Sequence, residues 1–419
     1  MSAGGRYYYG WNIVAAATLV TLLTVGMRMG IGPFFLPITE DLGFTRNELS
    51  SIVAVGMLCY GLAMPVAGYL AGARGTRVTL TVGIVIVLAA TAWTLVARDA
   101  LSFFLAYGVL LSIGLGFTSP VALSPVLSRW FTRQRGMAMF FLSTGSMAGI
   151  AIMTPAFGFG VELWGWRATL MGFAVLFALL ALPLSWLVIR DQAPEHTDLL
   201  PEQIKAKGSA PAAATASQPS MSLAQALRTA PFWIIFAGLF SCGYSMNLLG
   251  THGVPMLMDH GFDATTSALG IGLIGLVAIF GTVVLGRLSD IVPRRYMLAT
   301  IYFVRGLGFV ALLMVGTHWE LYGAASLGGM VWAGSIALSS AILADVYGVR
   351  LMGVLYGWAY LGHQVGAMIS SWLGGWGYDT YHTHWISFGS AAALLVLAAL
   401  LSLRLPGQEP ARPTQLARA

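Results

Sequence analysis

The chain is 419 residues long, 57% hydrophobic and only 9% charged, with 22 basic against 16 acidic residues. A soluble domain carries about a quarter charged residues, so this chain cannot cover a water-facing surface. A soluble enzyme, a disulfide-rich secreted domain and a nucleic-acid binder are excluded despite the net charge of +6. At one helical crossing per roughly 20 apolar residues, the length accommodates about a dozen crossings and little else.

In chain order, apolar runs predict spans 1 to 6 over residues 11–39, 46–73, 77–97, 101–128, 135–161 and 166–189. Spans 7 to 12 follow over 230–258, 264–287, 296–317, 321–347, 351–377 and 385–403. The first run keeps no small-residue cleavage site and leads into further spans, so it reads as a crossing and not a removable signal. Cys59 and Cys242 fall inside spans and read as small buried hydrophobes, not as a disulfide or metal framework. With the N-terminus inside, the cytoplasmic segments hold 17 Lys and Arg, and the outer ones hold only Arg46, Arg98 and Arg167. That bias sets the expected orientation: a multi-pass protein of the cell inner membrane with both termini cytoplasmic.

A polar stretch splits the spans six and six. Residues 1–190 are expected to form an N-terminal half, 191–229 a cytoplasmic linker ending in a short surface helix, 230–404 a C-terminal half and 405–419 a tail. An internal repeat supports the split. Pro37, Asp41, Gly43 and Phe44 recur 218 positions on as Pro255, Asp259, Gly261 and Phe262, and Gly68, Leu70 and Arg77 recur as Gly286, Leu288 and Arg295. An offset of 217 carries Gly136, Gly145, Gly149 and Gly158 onto Gly353, Gly362, Gly366 and Gly375. Thr45 and Asp263 are placed to cap the spans that follow them, with Glu48 completing a capping box in the first copy.

The predicted fold class is therefore all-α: twelve transmembrane helices in two pseudo-symmetric six-helix halves. This arrangement resembles the major facilitator superfamily. The loop from Gly68 to Arg77 is similar to that superfamily's loop motif, Gly-x-Leu-x-Asp-Arg-x-Gly-Arg-Arg, with Gly72 in the acidic place; the second copy, Gly286 to Arg295, keeps the acid as Asp290. A narrower resemblance links the chain to the bacterial branch of the monocarboxylate transporter family. It rests on Gly10-Trp11, the run from Arg129 to Gly136, Gly145 with Gly149, Ala344-Asp345-Val-Tyr-Gly348 and Gly374-Gly375-Trp-Gly-Tyr-Asp379. The resemblance implies transport of small organic carboxylates. Animal members carry an Asp and an Arg in span 8, whereas residues 264–285 here hold no charge.

Ionisable groups inside a bilayer cost a few kcal/mol each, so their presence needs a reason. Arg28 lies just past the midpoint of span 1, Arg305 in span 9, His363 in span 11, and His252 one turn beyond Asn247 in span 7, while no Asp or Glu falls near the middle of any span. The central layer thus holds excess cationic and donor groups that an anionic substrate would balance, and Arg offers a planar fork matched to a carboxylate. Arg28, Asn247, His252, Arg305, His363 and Tyr60 are the expected substrate-binding residues. Each has a structural alternative: Arg28 as a cap on helix carbonyls, Arg305 as a buried pairing group, the histidines as hydrogen-bonded packing residues and Tyr60 as interface filler. Arg77, Asp290, Arg294 and Arg295 are expected to form a conformational latch, weaker in the first copy for want of the acid at Gly72. Gly145 with Gly149 and Gly362 with Gly366 are spaced for close helix approach where the two halves rock.

His382 and His384 have no third ligand nearby, and no phosphate-binding Gly-x-x-x-x-Gly-Lys motif exists, so no metal, nucleotide, other cofactor or enzymatic activity is expected. The combined reading is a monomeric secondary transporter for a small organic anion in the lipid bilayer, with a proton as possible co-substrate and no nucleic-acid partner. The alternative is efflux of amphipathic compounds through a cavity lined by some of the 13 Trp, 21 Phe and 19 Met. Cationic drugs would need a buried acid, which the spans lack.

Overall fold

The computed structural model describes residues 8–131, 134–193, 221–288 and 292–406, and all regular structure among them is helical. Hydrocarbon offers no hydrogen-bond partners, so a crossing chain must satisfy its backbone internally, as a helix does. Every predicted crossing falls on helix. The 52-residue segment Met137–Val188 would stretch about 78 Å as one rod. Gly165 turns the chain there with a φ of 77°, separating spans 5 and 6. Residues 351–377 lie within the helix Gly334–Tyr381.

Three crossings are interrupted. Span 1, expected as one run, divides into Gly10–Met29 and Gly32–Leu42; Pro33 opens the second piece, where its missing N–H costs nothing. Span 4 contains a π-helical stretch, Phe104–Leu111, and then breaks at Thr118–Ser119 before Pro120. Span 10 breaks between Met330 and Gly334.

The expected caps form. The Thr45 hydroxyl accepts the Glu48 N–H at 3.1 Å while the Glu48 carboxylate accepts the Thr45 N–H at 2.8 Å. Asp263 accepts the Thr266 N–H at 2.8 Å. The two copies of the repeat end their first crossing alike, at Gly43 (φ 68°) and Gly261 (φ 94°). The surface helix before span 7 is a single turn, Leu223–Ala226, capped by Ser222 and Gln225. Residues 194–220 of the predicted linker and 407–419 of the tail lie outside the described residues.

The described chain forms two compact units. One comprises Met1–Arg28, Cys59–Gly149 and Trp164–Ser220; the other comprises Met29–Leu58, Ile150–Leu163 and Met221–Ala419. Each unit contains one copy of the same helix contact. In the first, a Cβ on Gly145 would stand 2.5 Å from the Thr18 carbonyl oxygen, and one on Gly149 2.5 Å from that of Leu22 and 2.8 Å from the Gly26 nitrogen. In the second, a Cβ on Gly362 would meet the Phe236 ring, and one on Gly366 the Phe240 carbonyl and the Tyr244 nitrogen. Phe236, Phe240 and Tyr244 are Thr18, Leu22 and Gly26 displaced by 218, so the repeat holds for which positions meet. These glycines therefore bring span 5 onto span 1 and span 11 onto span 7, each inside one unit. They are close-approach positions, as their spacing predicts, and the helices they meet belong to the same unit.

Two further glycines related by the repeat make close contacts within the second unit. A Cβ on Gly158 would touch Ala268 and one on Gly375 would touch Ser50, two contacts again related by the repeat. They join the segments 29–58 and 150–163 to the C-terminal spans.

Candidate substrate and coupling sites

Arg28 occupies the last turn of Gly10–Met29, where the negative end of the helix dipole favours a cation. Its guanidinium carbon lies 4.2 Å from the centre of the Tyr60 ring, and Tyr60 is buried. These two predicted residues are brought together, one from span 1 and one from span 2. An aromatic face attracts a cation but leaves its formal charge in place.

Arg305 is fully buried. One guanidinium nitrogen, Nη2, donates to the carbonyls of Val331 (3.0 Å) and Trp332 and to the Ser335 hydroxyl (3.2 Å). The other, Nη1, reaches the Cys242 sulfur at 3.2 Å, and Trp332 stands beside the group. Val331 and Trp332 form the break in span 10, so Arg305 holds carbonyls that the interrupted helix leaves behind. The first unit closes its span 4 break with neutral groups: the Thr24 hydroxyl donates to the Thr118 hydroxyl at 2.9 Å and to its carbonyl at 3.3 Å. Cys242 and Ser335, 3.3 Å apart, are the repeat equivalents of Thr24 and Thr118.

The remaining predicted groups lie in the second unit with Arg305. The Asn247 amide donates to the Gly243 carbonyl at 2.9 Å, one turn back on its own helix. His252 is buried, with its Nε2 2.8 Å from the Ser371 carbonyl, 3.4 Å from the Ser50 hydroxyl, and its ring against Phe35. A carbonyl only accepts, so Nε2 carries the hydrogen. His363 is stacked on Tyr360, ring centres 4.8 Å apart.

Among the expected latch residues, Arg77 donates to the Ile189 carbonyl and Arg294 pairs with Asp345. Arg295 lies over the Tyr296 ring and donates to its hydroxyl at 2.9 Å. Asp290 lies outside the described residues. Beside the first copy of the loop lies a carboxylate from beyond span 6, Asp191. It accepts the Thr76 N–H at 2.7 Å at the start of span 3 and stands 3.8 Å from Arg129. Asp191 lies 119 residues from Gly72 in sequence, beyond the reach of any local motif. Gly75, with φ 95°, makes room: a Cβ there would sit 2.7 Å from the Asp191 carboxylate. Replacing Gly75 with Ala combines that clash with a backbone conformation costing about 1–3 kcal/mol. The expected result is a lower unfolding midpoint for Gly75→Ala than for Gly72→Ala, where the added Cβ meets nothing within 4 Å.

One cluster escaped sequence reasoning. Arg46, at the start of span 2, makes a two-pronged ion pair with Asp259, Nη1–Oδ2 2.5 Å and Nη2–Oδ1 2.9 Å. His384 Nε2 stands 2.8 Å from the same carboxylate, and the Arg46 guanidinium lies 3.8 Å from the centre of the Tyr378 ring. Beside it the Asn47 N–H donates to Asp379 at 2.7 Å. The one available hint was a departure from the repeat: Arg46 corresponds to Ala264, so only the first copy carries a cation there.

A helical membrane protein with a twofold repeat, interrupted crossings and buried cations has the architecture of a solute carrier. The chain belongs to the Major Facilitator Superfamily, whose family model matches residues 17–315 and 254–419. The uncharacterized MFS-type transporter YcxA of Bacillus subtilis is 26% identical to it over 386 residues, covering 88% of each chain. Monocarboxylate transporter 11 of Homo sapiens is 28% identical over 364 residues, 86% of this chain and 72% of that protein. The oxalate:formate antiporter of Oxalobacter formigenes is 22% identical over 377 residues, 88% and 84%. A solved bacterial homolog of the human lysosomal transporter Spinster shares the fold, with a TM-score of 0.70 at 17% identity over 97% of this chain and all of that one. The protein is a multi-pass membrane transporter.

Proposed function

We propose that the protein is a secondary transporter of small organic anions, carboxylates first among them, working by alternating access between two six-span halves joined by the 191–229 linker. The observation that carries this reading is Arg28 held against the Tyr60 ring in a membrane interior without carboxylates near the middle of any span. The guanidinium fork can hold both oxygens of an arriving carboxylate, which the face of a ring leaves room for. Two relatives whose names specify a monocarboxylate and oxalate with formate support the same class. Arg28 is the primary anion contact and Tyr60 its orienting partner. Asn247, His252 and His363 are secondary polar contacts, and Arg305 serves the broken helix of span 10. The pairs Arg294–Asp345 and Arg129–Asp191, with Arg77, act as latches in segments rich in Lys and Arg. By the charge bias these segments and both termini face the cytoplasm, and the bilayer is the cell inner membrane.

The test is a thermal-shift screen of the purified protein with mono-, di- and aromatic carboxylates, and cationic amphiphiles as controls. A ligand bound only by the folded protein raises the midpoint, equivalent to about 2.7 kcal/mol at a hundredfold excess over its dissociation constant. Stabilisation by a carboxylate should disappear in Arg28→Ala and in Arg28→Lys, which has no fork. Stabilisation by cationic or neutral amphiphiles alone would replace this reading with efflux.

A further inference from the structure

The Arg46 cluster has no place in substrate binding as proposed above, yet it concentrates titratable groups where four separate parts of the chain meet. Arg46 comes from the start of span 2, Asp259 from the end of span 7, Tyr378 and Asp379 from the end of span 11, and His384 from the turn before span 12. Beneath it lies a second tier of contacts: His252 against Ser50 and the Ser371 carbonyl, with Gly374 backed directly onto the His252 ring and Gly375 onto Ser50 and the Arg46 carbonyl. A Cβ on either glycine would overlap its neighbour, so the segment beginning at Arg46 is seated tightly on span 11. The ion pair closes this seam.

The charge balance of the clasp is fine. With His384 neutral, the Asp259 carboxylate faces a single cation, Arg46. The other carboxylate at the cluster, Asp379, already accepts the Asn47 N–H. His384 is 6% exposed; its Nε2 donates to Asp259, while its Nδ1 is buried and has no hydrogen-bond partner among the described residues. A proton added to His384 must go to Nδ1, where no acceptor among the described residues receives it. It would also put a second cation beside Arg46, with His260 (ring centre 6.3 Å from that of His384) on the other side. Tyr378 packs on His384 at 4.7 Å, and His382 packs on Tyr378 at 6.1 Å.

We propose that His384, hydrogen-bonded to Asp259 in the Arg46 clasp, is the proton-binding site of transport: the proton it accepts drives Arg46 off Asp259 and unseats the segment that begins at Arg46 from spans 7 and 11. The proposal rests on membership of a transporter family and not on the identity of the cargo. The sign follows from the surroundings. Burial, Arg46 and His260 push the His384 pKa below its ordinary value, against the upward pull of Asp259. The closed clasp therefore prefers neutral His384. Its stability is full above the ordinary histidine pKa of about 6.5 and is lost as the pH falls below it. Protons open the clasp, and closing it releases one.

The experiment uses the full chain in lipid nanodiscs with spin labels at Glu40→Cys, six residues before Arg46, and Thr380→Cys, directly after Asp379, both exposed, and reads their distance distribution by pulsed electron resonance without any substrate. In the otherwise native chain a short distance should dominate at about pH 8, with a longer one rising several-fold at about pH 5.5. His384→Gln keeps an N–H for Asp259 but takes no proton, so it should hold the short distance at both pH values. Arg46→Gln should show the long distance at both. A pH-dependent shift that persists in His384→Gln overturns the assignment, as does a native chain whose distribution ignores pH. Neither result touches the anion reading, which stands or falls on the Arg28 variants.

Discussion

Arg305→Met should lower the unfolding midpoint of the purified protein sharply while leaving ligand-induced stabilisation in place. The guanidinium is fully buried and spans the Val331 and Trp332 carbonyls at the break in span 10, together with Ser335 and Cys242. Methionine fills much of the same volume but donates nothing, so two backbone acceptors lose their partner in a place water cannot easily reach. An unsatisfied buried polar group costs about 1–3 kcal/mol, which puts the loss on the order of 3 kcal/mol for the pair. Arg305→Lys should fall between, because one ammonium lacks the fork that spans neighbouring carbonyls. The same variant separates the two roles that sequence alone left open. A substrate contact would keep its midpoint and lose the ligand shift; a helix-break cap does the reverse. Thermal unfolding followed by tryptophan fluorescence, with and without a carboxylate that stabilises the native chain, reads both.

The crossings, the twofold repeat and the two caps at Thr45 and Asp263 were legible because each has a local signature: long apolar runs, a constant offset and a short polar side chain ahead of an apolar segment. The role of Arg305 was not. Its partners are backbone carbonyls, which every residue has, and they are free only because span 10 is interrupted at Val331 and Trp332. The interruption carries little sequence signal besides Gly334, and glycine is common throughout this chain, with 51 in all. The first unit shows why the charge is not obligatory, since Thr24 and Thr118 close the equivalent break without one. The clasp was hidden for a different reason. Arg46 and Asp259 are 213 residues apart, and each has a sufficient local explanation, as a loop charge and as a repeat position. The pairing Arg28–Tyr60 could be anticipated only as two candidates on neighbouring spans; their contact depends on where the break in span 1 places the end of Gly10–Met29. The glycine pairs were correctly read as close-approach positions, but spacing along one helix cannot say which helix lies opposite.

Those glycines give a prediction in which one substitution changes sign with its surroundings. Ala is favoured over Gly inside a helix by about 1 kcal/mol, so Gly→Ala stabilises wherever the added Cβ finds space. Gly357 and Gly172 are helical and a Cβ on either meets nothing within 4 Å. Gly357→Ala and Gly172→Ala should therefore leave the unfolding midpoint unchanged or raise it. Gly149 and Gly366 face backbone: the Leu22 carbonyl and Gly26 nitrogen in one unit, the Phe240 carbonyl and Tyr244 nitrogen in the other. Backbone in a packed helix cannot rotate aside, so the helices must separate, and overpacking of this kind costs about 1–3 kcal/mol. That exceeds the propensity gain, and Gly149→Ala and Gly366→Ala should each lower the midpoint. The two sites are in different units, so the double variant should lose close to the sum of the single losses. One asymmetry checks the geometry more closely. Gly145 faces the rigid Thr18 carbonyl, whereas Gly362 faces the far edge of the Phe236 ring, which can swing away. Gly145→Ala should thus cost more than Gly362→Ala although the repeat makes them equivalent in sequence. Equal losses would mean that the two helix pairs approach through the same contacts, against the packing described here.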